Sequence, residues 1–167
     1  MEKCQELILD DIVAIDFYRS SNVTFSVPFN APAVTQVSCV FSSTATLKLR
    51  LEDSSASGVV MQLAPKAKVE EKREVAGLIR THTIEAVVTE GFATVQTAID
   101  SLANDDIVAV LTNYEGARYV VHPFPNTGRL TLTDERQQSH TQTVRYSAQS
   151  FSGLVKIIPS SSSSSSD

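Results

Sequence analysis

The sequence predicts a mainly β domain of the α+β class, in which one helix packs on an antiparallel β-sandwich or barrel-like sheet. Two observations lead to this prediction. Roughly ten short segments alternate apolar and polar residues or form short apolar runs, as strands do, and Gly, Pro, Asn and Ser separate them. Only the segment from Phe92 to Asn104 spaces its apolar residues as a helix does. A sheet covered by one helix buries both patterns.

The N-terminal half reads as a series of strands. In the clearest of them, ATLKLRLED, Leu47, Leu49 and Leu51 share one face, and Lys48 and Arg50 share the other. The remaining strand-like segments of this half are LILDDIVAIDFY, SNVTFSVPF, VTQVSCVF and VVMQLAP. Loops rich in Pro, Asn, Ser or Gly, such as NAPA and SSASG, separate these segments.

The charged segment at about residues 65–78, most of which lies in KAKVEEKREVAGLIR, has two interpretations. Good helix formers followed by Gly77 fit a short helix, whereas the spacing of Val69, Glu71 and Arg73 fits an exposed strand. Under either interpretation its apolar content is too low for a core element. We therefore expect a solvated connector, or an arm that reaches a neighbouring subunit. The suspected contact residues here are Lys66, Lys68, Glu70, Glu71, Lys72, Arg73 and Glu74.

The segment from His82 to Pro123 reads as strand, helix, strand, turn and strand. In its first strand Ile84, Ala86 and Val88 share a face, and the turn is YEG. We expect the helix to pack on the strands through a single interface. That interface consists of Ile84, Val88, Phe92, Val95, Ile99, Leu102, Val108 and Val110.

Three strands are predicted after this unit. RLTLTDE and QTVRYSAQS alternate and are joined by the polar loop RQQSHT, and SGLVKII is a final short strand. Pro159 then precedes a polyserine run, which has no apolar surface to bury and is expected to be flexible. The prediction is thus one domain at residues 1–158 and a flexible tail at 159–167.

The sequence contains no recognisable motif for catalysis, cofactor binding or metal binding. The strand–helix junction TEGFATV has one Gly where a phosphate loop needs several, and Glu90 would repel an anion there. His82, His122 and His140 lack the spacing of a zinc site. No serine lies in the motif of a known serine nucleophile. We expect a protein that is not an enzyme and that has no cofactor.

Composition weighs against several classes of partner. The net charge is −5, whereas a nucleic-acid-binding surface is basic. No run approaches the roughly 18 apolar residues of a membrane span, and the acidic N-terminus MEKCQELILDDIV does not resemble a secretory signal. Synthesis in a cytoplasm is expected, with Cys4 and Cys39 as free thiols. The chain has no Trp and only seven Phe and four Tyr, which disfavours a surface that stacks sugars or bases.

A second suspected contact surface lies in NYEGARYVVHPFPNTGRL. Tyr114 and Arg118 flank the predicted hairpin tip, and aromatic and arginine side chains are enriched in protein interfaces. The same residues fit plain core packing equally well, so both interpretations stay open.

From about Thr81 to Ile158, the order of elements resembles the small structural proteins of tailed bacteriophages. The elements are the strand, the helix, the Tyr114–Gly116 hairpin and the paired strands RLTLTDE and QTVRYSAQS. Subunits of the phage tail tube, tail terminator, neck and baseplate hub share a β-sandwich or barrel with one helix and protruding hairpins. The resemblance has no diagnostic motif, so no functional residue is carried over. It implies a virion protein that is made in the host cytoplasm and assembles into a ring or tube.

The resemblance also implies the partners. They are copies of the same chain and neighbouring virion proteins, with DNA passing through an acidic lumen without specific binding and with no role for a membrane. Two other classes stay open. One is a monomeric β-domain binding module, and the other is an enzyme whose site is assembled from distant residues such as His82 and His122.

Overall fold

The computed structural model describes residues 6–9, 12–27, 34–51, 58–61, 65, 67–74, 77–88, 90–102, 105–121, 123–124, 127–135 and 141–158. These residues are mostly in strands, with one helix, which confirms the predicted mainly β, α+β class. The strands of the first half are β1 (Glu6–Leu9), β2 (Ile12–Arg19), β3 (Val23–Phe25), β4 (Gln36–Val37), β5 (Cys39–Phe41), β6 (Leu47–Leu51) and β7 (Val59–Met61). Those of the second half are β8 (Ala67–Glu74), β9 (Gly77–Val88), β10 (Ile107–Asn113), β11 (Arg118–Val120), β12 (Arg129–Glu135), β13 (Thr141–Ser150) and β14 (Val155–Ile157). The helix α1 spans Phe92–Ser101, and a short 3-10 turn spans Ser20–Asn22.

Twelve of these strands form one sheet, and β3 and β5 form a separate pair. The long strand β9 is the branch point, because it pairs with β8 and β7 on one side and with β13 on the other. One half of the sheet is therefore β12-β13-β9-β8-β1, and the other is β7-β6-β2-β10-β11-β14-β4. The sheet is mixed rather than antiparallel throughout, since β6 pairs with β7 and β14 with β4 in parallel.

The two halves enclose the main core. They join where Met61 pairs with Val88, and across the core the rings of Phe17 and Tyr146 lie 5.7 Å apart. The buried members of this core are Ile12, Ile15, Phe17, Leu47, Leu49, Met61, Ala67, Ile84, Ala86, Val88, Val95, Ala98, Leu102, Ile107, Ala109, Leu111, Val121, Leu130, Val144, Tyr146 and Ala148.

The halves meet again at a second point, which we call the closure point. There the Ile107 amide donates to the Gly128 carbonyl oxygen at 3.2 Å, and the buried Tyr146 hydroxyl donates to the Ile107 carbonyl at 2.8 Å. No ladder links β10 to β12 among the described strands, so the sheet is sandwich-like and does not close into a barrel.

A second, smaller core lies on the other face of the half that contains β10. Its buried members are Tyr18, Val23, Val37, Val108, Val110, Val120 and Val155. The β3–β5 pair covers this face, with Phe41 stacked on Tyr18 at a centroid distance of 4.5 Å. Cys39 packs here as a half-buried free thiol.

The helix lies where the sequence predicts it. It begins after Gly91, whose φ of 74° is the left-handed conformation that glycine adopts readily. Val95, Ala98 and Leu102 are buried, whereas Phe92 and Ile99 are only partly buried. The Arg19 guanidinium donates to the Ser101 carbonyl at 3.1 Å and so supplies a partner at the helix C-terminus.

The expected helix–sheet interface is wrong for Val108 and Val110, which belong to the second core. Ile107, Ala109 and Leu111 are the residues of β10 that face the core containing α1. The cause is that β10 is buried on both faces, so its run of apolar residues carries no alternation that would reveal which side chains face the helix.

Of the two interpretations of the charged segment, the strand is confirmed, and the expectation that it is too poor in apolar residues for a core element is wrong. Ala67–Glu74 form strand β8, hydrogen-bonded to β1 on one edge and β9 on the other, and not a helix or a connector. Ala67 and Val69 are each only 1% exposed, so two apolar residues suffice to place the strand in the core. Lys66, Cys4, His122, His140, the RQQSHT loop up to His140 and the polyserine tail lie outside the described residues.

Candidate functional site

The hairpin formed by β8 and β9 carries most of the suspected contact residues. Its register pairs Lys68 with Thr83, Glu70 with Thr81 and Glu74 with Gly77. Lys68, Glu70, Lys72 and Arg73 are exposed, and Glu71 is half-buried. Lys68, Lys72 and Arg73 also take part in interactions within the chain. The surface is therefore a two-stranded ribbon of mixed charge.

Among the described residues, the end of this hairpin extends beyond the two neighbouring strands. On one side, β1 pairs with β8 only as far as Glu70, and on the other, β13 pairs with β9 only from Arg80 onward. Among the described strands, residues 71–74 and 77–79 therefore pair only with each other. Gly77 has a φ of 125°, and a Cβ built there would meet no described atom within 4 Å. We call residues 71–74 and 77–79 the hairpin end.

A row of polar side chains ties the hairpin end to the body of the protein. Glu71 accepts from Arg80 Nε at 2.9 Å, and both side chains are about 15% exposed. Arg80 Nη1 also donates to the Phe151 carbonyl oxygen. Two residues further along β9, His82 Nε2 donates to the Ser152 carbonyl at 3.0 Å. The hairpin is thus anchored to the segment that follows β13.

His82 is the most buried titratable group of this row. Its side chain is 1% exposed, and Nδ1 has no hydrogen-bond partner among the described residues. Burial, which disfavours the charged imidazolium, lowers the pKa of His82 to about 4; the hydrogen bond to Ser152 opposes this shift, and the nearby Arg80 adds to it. The imidazole is therefore neutral at pH 7, and the uncharged form fits its role in the hydrogen bond to Ser152.

Tyr114 lies at the tip of the β10–β11 hairpin and is 82% exposed. Asn113 shapes this turn, because its side-chain oxygen accepts from the amides of Glu115 and Ala117 at 3.0 and 2.9 Å. The predicted turn at 114–116 is confirmed. The exposed ring of Tyr114 is the feature of this tip that fits a contact surface.

Arg118 is only partly exposed, unlike Tyr114. Its guanidinium lies over the ring of Phe41, 5.5 Å from the centroid, and close enough to Tyr18 to influence the pKa of that hydroxyl. Asp16 lies near this group and pairs in register with Lys48 on the neighbouring strand. Through Phe41, Arg118 links the β3–β5 pair to the large sheet, which fits the packing interpretation, and the suspected role of Arg118 in a subunit contact stays a prediction.

Burial raises the pKa values of three groups near Arg118, namely Asp16, Tyr18 and Cys39. Burial raises the pKa of Asp16, against the opposing effects of Lys48 and Arg118. Burial and the neighbouring Asp16 also raise the pKa of Tyr18. The pKa of the Cys39 thiol is raised by burial to about 11, so Cys39 is a poor nucleophile at neutral pH.

An open groove of about 460 Å³ lies beside the helix. It is lined by Thr46, Ala93, Thr94, Thr97, Ala98 and Ser101. These side chains are small or carry hydroxyl groups, and none of them is charged. The described residues also contain no group of three or more His, Cys, Asp or Glu side chains placed to hold a metal ion.

Sequence reasoning identified the charged strand and Tyr114 but missed the row that runs from Glu71 to His82. Glu71 and Arg80 lie on different strands. Only the β8–β9 register, which the sequence pattern does not reveal, places them opposite each other. A signal was available in the period of two, which puts Val69 and Glu71 on one face of the strand.

Comparison with known proteins identifies no relative. No family model matches the chain, and neither the curated proteins nor the solved structures contain a match. In the described part of the chain, no helix combines the length and the apolarity that a membrane span requires.

Proposed function

We propose that this chain is a non-enzymatic structural subunit that assembles into a ring or tube in the tail or neck of a phage-type virion. Its partners are copies of itself and neighbouring virion proteins. It is made in the host cytoplasm and ends in the particle. DNA passes through the lumen without specific binding, which the net charge of −5 favours because like charge opposes adhesion to phosphate.

The observation that supports the proposal best is the hairpin end. This two-stranded ribbon extends past both of the described neighbouring strands. A protruding hairpin can contact a second molecule more easily than a sheet whose strands all end at the same level. At Gly77–Ile79, the edge of β9 that faces away from β8 has no described ladder partner, and an unpaired edge is a template for a strand of another chain.

Charge on the hairpin selects the partner more than it adds affinity. Exposed ion pairs contribute roughly 0 to 1 kcal/mol each. Lys68 and Lys72 alternate with Glu70 on the outer face of β8, so a wrongly shifted neighbour would place like charges together. A contact between two different surfaces, repeated around an axis, closes into a ring.

The test is the assembly state of two charge variants, measured by native mass spectrometry and by size exclusion with light scattering at low and high salt. Lys68→Glu with Lys72→Glu reverses two exposed charges on the hairpin. The matched control, Arg145→Glu with Lys156→Glu, makes the same change in net charge at exposed positions on β13 and β14. We expect rings from the wild type and the control, and a folded, unassembled hairpin variant.

Two results would contradict the proposal. Rings formed equally well by the hairpin variant would exclude this hairpin as the contact. A wild-type chain that stays monomeric even with its natural neighbours would remove the structural role altogether. The second result would favour the alternative function, a monomeric binding module, for which the exposed Tyr114 ring is the supporting observation.

A further inference from the structure

Strand β12 is an outer strand of the large sheet. Its only ladder partner among the described strands is β13, which pairs with all seven of its residues, from Arg129 with Ser147 to Glu135 with Thr141. At the closure point, the carbonyl oxygen of the preceding residue, Gly128, accepts a hydrogen bond from the Ile107 amide. From Arg129 onward, the outer backbone edge of β12 forms no ladder with a described strand, although helix α1 also lies close to β12. Such an edge is about 24 Å long at 3.4 Å per residue.

The sequence of this edge, Arg-Leu-Thr-Leu-Thr-Asp-Glu, is complementary to itself when reversed. Consider two copies of β12 paired antiparallel and centred on Leu132. At each end of this pairing, Arg129 of one copy stands opposite Glu135 of the other. Position 131 then stands opposite position 133, both threonines, and Leu132 meets itself. Leu130 opposite Asp134 is the one pair that adds no complementarity. Opposite charges and paired threonines at facing positions stabilise antiparallel strands.

No other register does as well. Side chains keep to their own face of a continuous sheet only if the register moves by an even number of residues. A centre on Thr131 or on Thr133 shortens the pairing to five residues and leaves Arg129 or Glu135 without its opposite charge. The longest pairing and the best charge match therefore coincide at one register.

Burial within β12 agrees with this register. Leu130 is 9% exposed and belongs to the main core, whereas Leu132 is only partly buried at the margin of that core. Leu132 is the residue that a two-fold partner would cover. Arg129 and Thr131 are exposed and accessible to a partner strand.

We propose that two copies of this chain join edge to edge through β12, antiparallel and with the two-fold axis at Leu132, into one continuous sheet. This contact is isologous and lies on a different strand pair from the hairpin end, so it does not rest on ring formation. If rings also form, this contact would join two rings into a double ring. If rings do not form, it would give dimers.

A charge-exchange experiment tests the register. Arg129→Glu and Glu135→Arg should each weaken dimerisation by about tenfold or more, because each creates two like-charge pairs by symmetry. The double variant should restore the wild-type association measured by analytical ultracentrifugation. Arg145→Glu, on an exposed residue of the adjacent inner strand, should have no effect. Melting curves control for folding, since Arg129 also lies 3.8 Å from Asp106.

A cross-linking experiment tests the axis. In a Cys4→Ser, Cys39→Ser background, Leu132→Cys should form a disulfide-linked dimer on mild oxidation. Facing Cα atoms of antiparallel strands are about 4.5 to 5.5 Å apart, within the range that a disulfide spans. Thr131→Cys is more exposed but should cross-link much less, because it faces position 133.

The outcomes separate this inference from the proposed function. Rings of single thickness, with no cross-link at position 132, would overturn the β12 contact and leave the ring proposal intact. Cross-linked dimers without rings would support the β12 contact and count against the ring. Equal cross-linking at positions 131 and 132, or a double variant that fails to recover association, would contradict the proposed register.

Discussion

Opposing forces act on the imidazole of His82. Burial among apolar neighbours disfavours the protonated form, whereas the hydrogen bond to the Ser152 carbonyl favours it, and burial is the larger effect. Arg80, which is paired with Glu71, is a charged group that acts on the ring. A proton added to His82 would introduce a positive charge beside an existing guanidinium, with no described acceptor at Nδ1.

This makes stability depend on pH in a defined direction. The folded pKa of His82, about 4, lies below the ordinary value of 6.5. The unfolded chain therefore binds the proton first, so the stabilisation is complete above about pH 6.5 and is lost as the pH falls toward 4. The loss should be about 3 kcal/mol in total. Urea unfolding between pH 7 and pH 4.5 measures it.

The variant His82→Gln separates this effect from other titrations. Its amide does not titrate, so the difference in unfolding free energy between the wild type and the variant should shrink as the pH falls. Asp16, whose pKa is raised, acts in the opposite direction but is common to both proteins. Parallel pH curves for the two proteins would show that His82 is not responsible.

Helix α1 packs on the sheet through only part of its predicted apolar stripe. Phe92, Val95, Ile99 and Leu102 follow helical spacing, yet only Val95 and Leu102 of these four are buried. Ala98, which the stripe omitted, is 8% exposed. The contact face is rotated toward Ala98, because a small side chain lets the helix approach the sheet closely.

The rotation predicts unequal costs of truncation. Leu102→Ala should lower the unfolding free energy by about 2 to 5 kcal/mol, the range for a fully buried leucine. Ile99→Ala should cost clearly less, because its side chain is only partly buried and water can fill the space. Chemical denaturation of both variants at pH 7 measures the difference. Equal costs would mean that Ile99, too, is a full member of the core.

The sequence was informative where a strand has one buried face. The alternation of Leu47, Leu49 and Leu51 with Lys48 and Arg50 located β6 and gave its inward side correctly. It was uninformative for β10, which is buried on both faces. For β8 it left helix and strand open and underestimated the burial, because the pattern shows charge density but not which edge partners cover Ala67 and Val69.

The candidate site was predictable only in part for the same reason. Tyr114 follows from local turn chemistry, since Asn113 and Gly116 fix the tip. The surroundings of Arg118 depend on the pairing of β11 with β10 and of β10 with β2, which no local pattern reveals. The β8–β9 register that joins Glu71 to Arg80 is likewise non-local information.

At the scale of the whole molecule, the closure point holds the two halves of the sheet together. A methyl group on Gly128 would overlap the carbonyl oxygen of Ile107, which is backbone and cannot turn aside. The same loop is fixed by the Asp106 carboxylate, which accepts from the Gly128 amide at 2.9 Å. Glycine is required here by close approach, because two backbones meet at this point.

Gly128→Ala should therefore destabilise the protein by about 3 kcal/mol or more, as overpacking against fixed backbone does. Gly153→Ala is the matched control, since its nearest neighbour would be Arg80 Cδ at 3.9 Å, an ordinary contact. Thermal unfolding of both variants compares them. A Gly128 variant as stable as the control would mean that the two halves separate there without cost.

Strand β2 pairs with β10, and this has a consequence for how the chain reaches its fold. Arg19 faces Ile107, so one edge of an early strand is completed by residues that leave the ribosome 88 positions later. Pairing at such separation closes long loops and slows folding. Until then that edge and its apolar side chains are accessible to other nascent chains. We therefore expect folding of this protein to be largely post-translational, and its yield to fall as the concentration of unfolded chains rises.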